Sequence, residues 1–242
     1  MIATLPRKST VEYPTSDGKP VAETDLHFRE ILALFQVLDY FFETRGDVYV
    51  AANNFVYFEE GNPKACFSPD VYVVYGVSKE TRESYKVWEE GGRVPMVVFE
   101  LTSKSTQKED LGKKKALCEN LGVQEYFLYD PKGEYLTPPL RGFRLEQGRY
   151  SEIAPDSKGH RASTILGLKF FVNPLAQLGV IDTATGLVLP RAKEYKLLAQ
   201  REAEGRRIEA EGRRIEAEGR RAAEAEVARL KAELAAKDGR KS

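Results

Sequence analysis

The sequence predicts a mixed α/β fold, in which helices pack on a mixed central sheet and a long C-terminal helix follows. Three observations predict this class. Apolar residues recur at helical spacing near the N-terminus, and short runs rich in Val, Tyr and Phe follow them with turn residues in between. A seven-residue repeat then fills much of residues 201–242.

The first helix is predicted from Thr24 to Thr44, with Gly46 as its stop signal. One face of this helix carries Phe28, Ile31, Leu32, Phe35, Leu38 and Phe42. Strands are expected at 47–58, 69–77 and 94–101 because these runs are rich in β-branched and aromatic residues. A second helix is expected at 110–121, closed by Gly122. A fourth strand follows at 125–129, and shorter strand signals lie near Tyr135, Phe143, Tyr150, 168–172 and 187–189.

The last part of the chain has a different composition, so we divide the protein into a globular domain at 1–190 and a charged helical tail at 191–242. The tail repeats the units REAEGRR, IEAEGRR and IEAEGRR. A seven-residue period is typical of a left-handed coiled coil or a long solvated helix. Only one strong apolar residue occurs per early repeat, and each glycine costs about 1 kcal/mol relative to alanine. A weakly associating helix and a purely solvated helix both remain open.

Composition excludes several classes of protein. Apolar residues make up 42% of the 242 residues, which is enough for a substantial core. The chain has 37 Lys and Arg against 37 Asp and Glu, so it does not bind nucleic acid through bulk positive charge. Its apolar runs are shorter than the roughly 20 residues that span a bilayer, and its start lacks a secretory signal. We therefore expect a cytoplasmic protein without a membrane partner.

Motifs for several common chemistries are missing from the sequence. The two histidines, His27 and His160, have no neighbours at metal-ligand spacing, and no glycine-rich phosphate loop or nucleophile elbow is present. Cys66 and Cys118 cannot build a disulfide framework. The candidates that remain are carboxylates and lysines.

Two carboxylates stand at the ends of apolar strands. Asp70 begins one strand, in SPDVYVVYG, and Glu100 closes another, in PMVVFELTSKST. A charge flanked by buried residues is costly unless it is paired or bound to a cation. Neighbouring strands lie about 4.8 Å apart, so both carboxylates can reach one ion. Hard oxygen ligands suit Mg²⁺ or Mn²⁺, which can activate water and stabilise a phosphate under attack.

Three segments in this order, SPDVYVVYGV, VFELTSKST and EDLGKKKALCENLGVQEYFLYDP, resemble the Uma-type family of restriction endonucleases. The resemblance covers about residues 23–130. It implies the restriction-endonuclease-like fold of the PD-(D/E)xK nucleases. By this resemblance, Asp70 and Glu100 of the present chain would be the metal-ligating carboxylates, assisted by the backbone carbonyl of Leu101.

The resemblance also implies a catalytic lysine, with one departure from the usual motif. Thr102 occupies the position where a lysine normally follows the acid, and a lysine of the next helix is thought to replace it in this family. The matching residue is Lys114, which would orient the attacking water. A solvated i,i+4 pair with Asp110 is the alternative for this lysine. Glu23 matches an acidic position that often completes such sites, although an acid there also suits a helix N-terminus.

Five lysines lie close together in the sequence after Glu100. They are Lys104, Lys108, Lys113, Lys114 and Lys115. Lys113 and Lys115 point about 100° to either side of Lys114 on a helix, so the three cannot all serve one site. Apart from Lys114, the cluster is either a solvated face or a phosphate-facing patch that contributes salt-dependent, sequence-independent affinity.

These features lead to one principal hypothesis and two alternatives. The principal hypothesis is a Mg²⁺- or Mn²⁺-dependent endonuclease that hydrolyses phosphodiester bonds in DNA, assembled as a homodimer or higher homo-oligomer with help from the tail. A dimer would present two sites to opposite strands. The first alternative is a catalytically inactive nuclease fold that binds nucleic acid or acts as an assembly module. The second is an assembly protein driven by the tail.

Overall fold

The computed structural model describes residues 11–16 and 24–238. The chain divides into two compact units between Ala192 and Lys193. The elements, in chain order, are α1 (Asp25–Phe41), β1 (Val48–Ala52), β2 (Val56–Tyr57), β3 (Cys66–Phe67), β4 (Val71–Tyr75), β5 (Tyr85–Lys86), β6 (Val97–Leu101), α2 (Gln107–Glu109), a π-helical turn (Asp110–Lys114), α3 (Lys115–Leu121), β7 (Glu125–Tyr129), β8 (Leu140–Glu146), β9 (Arg149–Glu152), β10 (Arg161–Ser163), β11 (Leu168–Val172), β12 (Leu178–Asp182), β13 (Val188–Leu189) and α4 (Ala192–Asp238).

Six strands form the central sheet, in the order β1-β4-β6-β7-β8-β9. β6 and β7 are parallel, and every other neighbouring pair in this sheet is antiparallel. The helical segment from α2 to α3 joins the two parallel strands, because parallel pairing requires a crossover connection. Two smaller sheets, β3-β2-β5 and β10-β11-β12-β13, complete the first unit. The predicted class, a mixed sheet flanked by helices with a long C-terminal helix, is confirmed.

The two faces of the central sheet belong to different cores. Val73 and Phe99 pack with α1 and with β11 and β12 on one face. Tyr72 and Val98 pack on the other face with residues that include Cys118 of α3. Because side chains alternate along a strand, a strand covered on both faces is apolar at nearly every position. This explains why β4 and β6 are continuous apolar runs.

The buried face of α1 differs from the predicted one. Ile31 and Leu38 are buried as expected, but Phe28 is 53% exposed and Leu32 is 41% exposed. The helix instead buries two polar residues, His27 and Glu30, together with apolar ones. Helical spacing of apolar residues cannot reveal that polar side chains occupy the inner face. The prediction that Phe28 and Leu32 lie on the buried face was therefore wrong.

Several strand boundaries also differ from the prediction. The expected strand at 47–58 is two strands in different sheets, β1 and β2, separated by Asn53 with a φ of 54°. Left-handed backbone at such a position interrupts a β-ladder, and Asn tolerates it better than most residues. The expected strand near Tyr135 is a bend, and β10 and β12 had no clear sequence signal.

The tail forms the long helix α4. Ile208, Ile215 and Val227 are all more than half exposed. Ion pairs between residues three or four apart run along the helix, for example between Arg207 and Glu204 at 2.9 Å. A coiled coil therefore stays a prediction. Within residues 11–16 and 24–238, no helix has the length and hydropathy needed to cross a bilayer.

A buried carboxylate joins the central sheet to the segment that leads into β11. Glu125 is fully buried, and its Oε1 accepts hydrogen bonds from Arg144 Nη2 at 3.0 Å and from the backbone N–H of Thr164 at 3.1 Å. Its Oε2 accepts a hydrogen bond from the hydroxyl of Ser163. Such a group stabilises a fold only while its partners remain in place.

We expect Glu125→Ala to lower the free energy of unfolding by about 3–5 kcal/mol, because it leaves Arg144 without its buried partner. Chemical denaturation of the full-length protein measures the loss. Glu146→Ala, at an exposed position of β8, is the matched control and should cost less than about 0.5 kcal/mol. Equal losses in the two variants would contradict a structural role for the Glu125 network.

Candidate active site

Two carboxylates meet where β4 begins and β6 ends. The antiparallel register pairs Val71 with Phe99, and continuing it by one residue sets Asp70 opposite Glu100. Both side chains project to the same face of the sheet, because directly opposed residues share a face. Glu100 is 1% exposed and Asp70 is 9% exposed. The sheet register therefore brings together the two carboxylates that the sequence singled out.

The Asp70 carboxylate is held from two sides. Its Oδ2 accepts a hydrogen bond of 2.6 Å from the backbone N–H of Leu101, across the strand pair. His27 Nε2, from α1, lies 3.6 Å from the same oxygen. The first contact ties Asp70 to the end of β6, and the second brings α1 to the site.

Lys114 contacts Glu100 from the helical crossover. Its Nζ donates to Glu100 Oε2 at 2.7 Å and to the backbone carbonyl of Ser68 at 3.4 Å. The same ammonium lies 3.5 Å from Asp110 Oδ1. Glu100 Oε1 is buried and has no hydrogen-bond partner in the described part of the chain. One oxygen of Glu100 is thus engaged by lysine while the other is free to accept a ligand.

Asp110 is a third buried carboxylate at this site. It is 1% exposed, and neither of its carboxylate oxygens accepts a hydrogen bond from the residues that the structure describes, although Lys114 Nζ lies 3.5 Å from Oδ1. Its position is fixed through the backbone, because Tyr126 donates from its hydroxyl to the Asp110 carbonyl at 2.8 Å. Asp110 and Lys114 are the first and last residues of the π-helical turn. Such turns are rare, and they occur often at functional sites.

The site contains more acidic than basic groups. Burial raises the pKa of Glu100 well above its usual value; Asp70 and Asp110 raise it further, and Lys114 opposes them. Burial likewise raises the pKa of Asp110. Burial disfavours the Lys114 cation, but the charges of Glu100, Asp70 and Asp110 outweigh this and raise its pKa. Three carboxylates around one ammonium favour the uptake of a proton or another cation.

This charge arrangement determines how stability depends on pH. A carboxyl group with a raised pKa contributes stability below its unfolded value, which is 4.5 for Glu100. That contribution is lost as the pH rises through the folded-state pKa. Without a bound cation, Glu100 therefore contributes progressively less stability as the pH rises above its unfolded pKa and through its folded one. A divalent cation would offset the loss by neutralising the carboxylates.

The three carboxylates and Lys114 line a cavity of about 340 Å³. Hydroxyls of Ser103, Ser105 and Thr106 line it after the end of β6, and Lys132 and Tyr135 line it from the β7–β8 loop. The Ser103 backbone N–H donates to Thr106 Oγ1 at 3.0 Å, which fixes the turn before α2. The cavity thus combines acidic groups at its base with hydroxyls and cations that could contact a phosphate.

The other predicted lysines occupy different surroundings. Lys104 lines the same cavity as Glu100, whereas Lys113 lines an adjacent groove of about 330 Å³ that also includes Lys114. Lys108 is exposed on α2. Lys115 lies over the ring of Phe143, with its Nζ 4.1 Å from the ring centroid. The cluster therefore does not form one surface around the cavity.

Part of this site was not predicted from the sequence. Glu23 lies outside the described residues. Asp110 entered the sequence analysis only as a possible ion-pair partner, because spacing alone cannot show that a carboxylate is buried. His27 entered the sequence analysis only as a histidine without neighbours at metal-ligand spacing. His27 lies four residues before Ile31, and residues four apart share one face of a helix. This spacing was the signal that its side chain points toward the core.

A family profile matches residues 2–173, and its description is Uma2, putative restriction endonuclease. The chain belongs to this family. Among solved structures, it is similar to a putative nuclease belonging to DUF820 from Anabaena variabilis ATCC 29413. That likeness has 15% sequence identity and a TM-score of 0.41, over 56% of this chain and 71% of the other. No curated protein gave a significant match. Membership of the Uma2 family supports a nuclease.

Restriction-endonuclease-like families usually use a divalent metal, and the donor atoms here fit one. Among the described residues, no group of three His, Cys, Asp or Glu side chains is arranged to hold a metal ion. Mg²⁺ often takes only one or two carboxylates and keeps several waters. Asp70 and Glu100 would supply these, together with the Leu101 carbonyl. The unpartnered Oε1 of Glu100 is the observation in favour of this fit.

We expect Mn²⁺ to raise the thermal unfolding midpoint more at pH 8 than at pH 5.5, because protons on Glu100 and Asp110 compete with the metal as the pH falls. Scanning fluorimetry over a Mn²⁺ titration measures the shift. Glu100→Gln should remove both the shift and its pH dependence, since glutamine resembles the protonated acid.

Glu60→Gln, at an exposed turn position, is the matched control and should behave like the wild type. The prediction fails if Glu100→Gln responds to Mn²⁺ as strongly as the wild type does.

Proposed function

We propose that this Uma2-family protein is a Mg²⁺- or Mn²⁺-dependent endonuclease of the PD-(D/E)xK type that hydrolyses phosphodiester bonds in DNA. The observation that carries the proposal is the meeting of Asp70, Glu100 and Lys114 in one buried site, with Lys114 Nζ 2.7 Å from Glu100. The sheet register, the crossover helix and the β7–β8 loop all contribute to this site. The description of the family as restriction endonucleases supports the same chemistry.

Asp70 and Glu100 would hold the metal, with the Leu101 carbonyl as a further oxygen ligand. When bound, the ion would lower the pKa of a coordinated water and offset charge on the phosphate. Asp70 suits this role because its contact with the Leu101 N–H fixes one oxygen without neutralising the carboxylate. Glu100 suits it because Oε1 has no other partner among the described residues.

Lys114 would orient the attacking water and stabilise negative charge that develops on the phosphate. The surrounding carboxylates keep it protonated, since they raise its pKa. Asp110 would act as a positioning residue, because its Oδ1 lies 3.5 Å from the ammonium and its backbone is anchored by Tyr126. The Lys114 ammonium, positioned by Asp110, would provide the positive charge that a lysine at the Thr102 position would otherwise supply.

The lysines beside the cavity would contribute affinity for the DNA backbone. Lys104 lines the cavity itself, Lys113 lines the adjacent groove, and Lys108 is exposed between them in the sequence. Contacts of this kind position a duplex without reading its sequence. Lys115 would contribute only if its ammonium left the Phe143 ring, so we assign it the weakest effect.

A second function is favoured by the ion pair between Lys114 and Glu100. If Lys114 keeps Glu100 Oε2 occupied, that oxygen is not available to a metal. The protein would then bind nucleic acid without cleaving it, or act as an assembly module. The two functions differ in whether the Asp70 and Glu100 carboxylates are needed for a chemical step. The cleavage assay below separates them.

The tail helix would promote association between copies of the chain. Ile208 and Ile215 recur seven residues apart and are exposed, as expected for a seam that packs in a homodimer or higher oligomer. One strong apolar residue per repeat predicts a weak association. A dimer would present two sites to the two DNA strands.

We expect purified protein to nick or linearise supercoiled plasmid DNA in Mg²⁺ or Mn²⁺. Asp70→Asn and Glu100→Gln should each reduce the rate by about 10²-fold or more, because each removes a carboxylate that would hold the metal. Lys114→Met should cost about as much, because it removes the ammonium that would stabilise charge on the phosphate. Glu60→Gln and Lys64→Met, two exposed positions in the β2–β3 turn, are the matched controls. Gel quantification under single-turnover conditions gives the rates.

DNA binding in EDTA is measured in parallel for every variant. Cleavage that survives unchanged in Asp70→Asn and Glu100→Gln would refute the metal-dependent mechanism. Binding without cleavage by the wild type, with either ion, would favour the non-catalytic function.

We expect removal of residues 201–242 to reduce the apparent mass measured by light scattering at high protein concentration, because the apolar seam is lost. Ile208→Glu with Ile215→Glu tests the same seam in the full chain. Glu209→Gln is the control, since it changes one charge without removing an apolar residue. An assembly that persists in both altered proteins would show that the tail does not drive association.

A further inference from the structure

A second cavity, separate from the carboxylate site, lies beside β10 and β11. Its volume is about 400 Å³, within the range of small-molecule pockets. Three of its lining residues are basic, namely Lys158, His160 and Arg161. Most of the others offer apolar surface, among them Pro139, Pro155 and Phe171. The nuclease proposal assigns no role to this cavity.

Arg161 is the unusual member of this set. The residue is only 5% exposed, and its Nε is buried with no hydrogen-bond partner among residues 11–16 and 24–238. Its Nη1 donates a long hydrogen bond of 3.4 Å to the carbonyl of Gly159. A buried guanidinium is costly unless a carboxylate or another anion compensates for it. No ion pair of Arg161 is found among the described residues.

The two carboxylates whose charges act on Arg161 already have other cationic partners. Glu152 accepts two hydrogen bonds from Arg141, at 3.1 and 2.6 Å. Asp156 Oδ2 lies 3.3 Å from Lys169 Nζ and 3.4 Å from His160 Nδ1. Neither acid is therefore available to Arg161 as a bidentate partner.

The pKa values of two neighbouring arginines reflect this difference. The hydrogen bonds to Glu152 raise the pKa of Arg141. Burial lowers the pKa of Arg161; the charges of Glu152 and Asp156 only partly oppose this, and Arg141 adds to it. Because an arginine side chain stays protonated in proteins, Arg161 carries a buried charge that is incompletely compensated.

The chemistry of the cavity indicates the class of ligand. The planar guanidinium fork matches two oxygens of a phosphate, and Lys158 adds a second cation. The Phe171 and His160 rings lie 5.2 Å apart and offer aromatic surface for a base. We propose that this cavity binds a nucleotide, with its phosphate held by Arg161 and its base packed against the ring of Phe171.

One loop links this cavity to the carboxylate site. The β7–β8 loop contributes Lys132 and Tyr135 to the first cavity and Pro138 and Pro139 to the second. A nucleotide unit of a bound DNA strand could therefore fill the second cavity, and a free nucleotide has the same chemistry. The proposal does not depend on cleavage, because the Arg161 site needs no metal.

The test uses the full-length protein in EDTA, so that the carboxylate site holds no metal. Calorimetry or fluorescence competition measures the binding of inorganic phosphate, dAMP and a short single-stranded oligonucleotide. We expect Arg161→Met to weaken dAMP binding about tenfold or more, as loss of a charged hydrogen-bonding group predicts. We also expect the unfolding midpoint of this variant to stay equal or rise, since a buried unpaired charge has been removed.

Two further variants keep the test decisive. Lys158→Gln changes an exposed residue and should weaken dAMP binding with a shallower salt dependence. Arg149→Met removes an arginine whose side chain is 84% exposed, and it should bind dAMP like the wild type. If Arg161→Met does not fold, Lys158→Gln decides the outcome.

Each result supports or overturns the proposal. Tighter binding of the oligonucleotide than of dAMP identifies a DNA strand as the source, and the reverse identifies a free nucleotide. Unchanged dAMP binding in Arg161→Met and Lys158→Gln, or phosphate binding as strong as dAMP binding, would overturn it. Glu100→Gln should bind dAMP normally, so failure of the nuclease proposal leaves this result unaffected.

Discussion

The antiparallel pairing of β4 with β6 is the constraint on which the candidate site depends. It sets Asp70 opposite Glu100 at the place where the apolar ladder ends. The parallel pairing of β6 with β7 then requires the helical crossover that carries Asp110 and Lys114. A shift of one residue in the β4–β6 register would turn one carboxylate to the opposite face. The continuous apolar runs that fix this register therefore position the candidate site as well as the core.

The same arrangement makes the site costly for the folded state. Burial of Glu100 and Asp110 raises the pKa of both, and one ammonium does not neutralise three carboxylates. Other parts of the fold offset this cost. Apolar layers cover both faces of the central sheet, and the Glu125 carboxylate is fully satisfied by hydrogen bonds from neighbouring segments. This contrast between a satisfied and an unsatisfied buried acid is expected where a site is prepared for a ligand.

Much of the fold, but less of the site, could be predicted from the sequence. The strand β7 was predicted with the bounds it has, because an apolar run lies between clear turn residues. Phe28 was wrongly placed on the buried face of α1, because the spacing of apolar residues cannot show that the neighbouring His27 is the one that faces inward. The Asp70 and Glu100 positions were visible because each is a charged residue at the end of an apolar run. The burial of Asp110 was not visible, because it follows from tertiary packing around the helical crossover.

The π-helical turn has a consequence for the geometry of the crossover. A turn of this kind contains one residue more than the α-helical turn it replaces, so it rotates everything after it by about 100° relative to an unbroken α-helix. Lys114 is reached at the end of this turn, and α3 with the buried Cys118 follows it. The extra residue therefore sets the phase between the lysine that meets Glu100 and the helix face that packs on the sheet. In this chain, the position of Lys114 and the packing of α3 on the sheet both depend on this one extra residue.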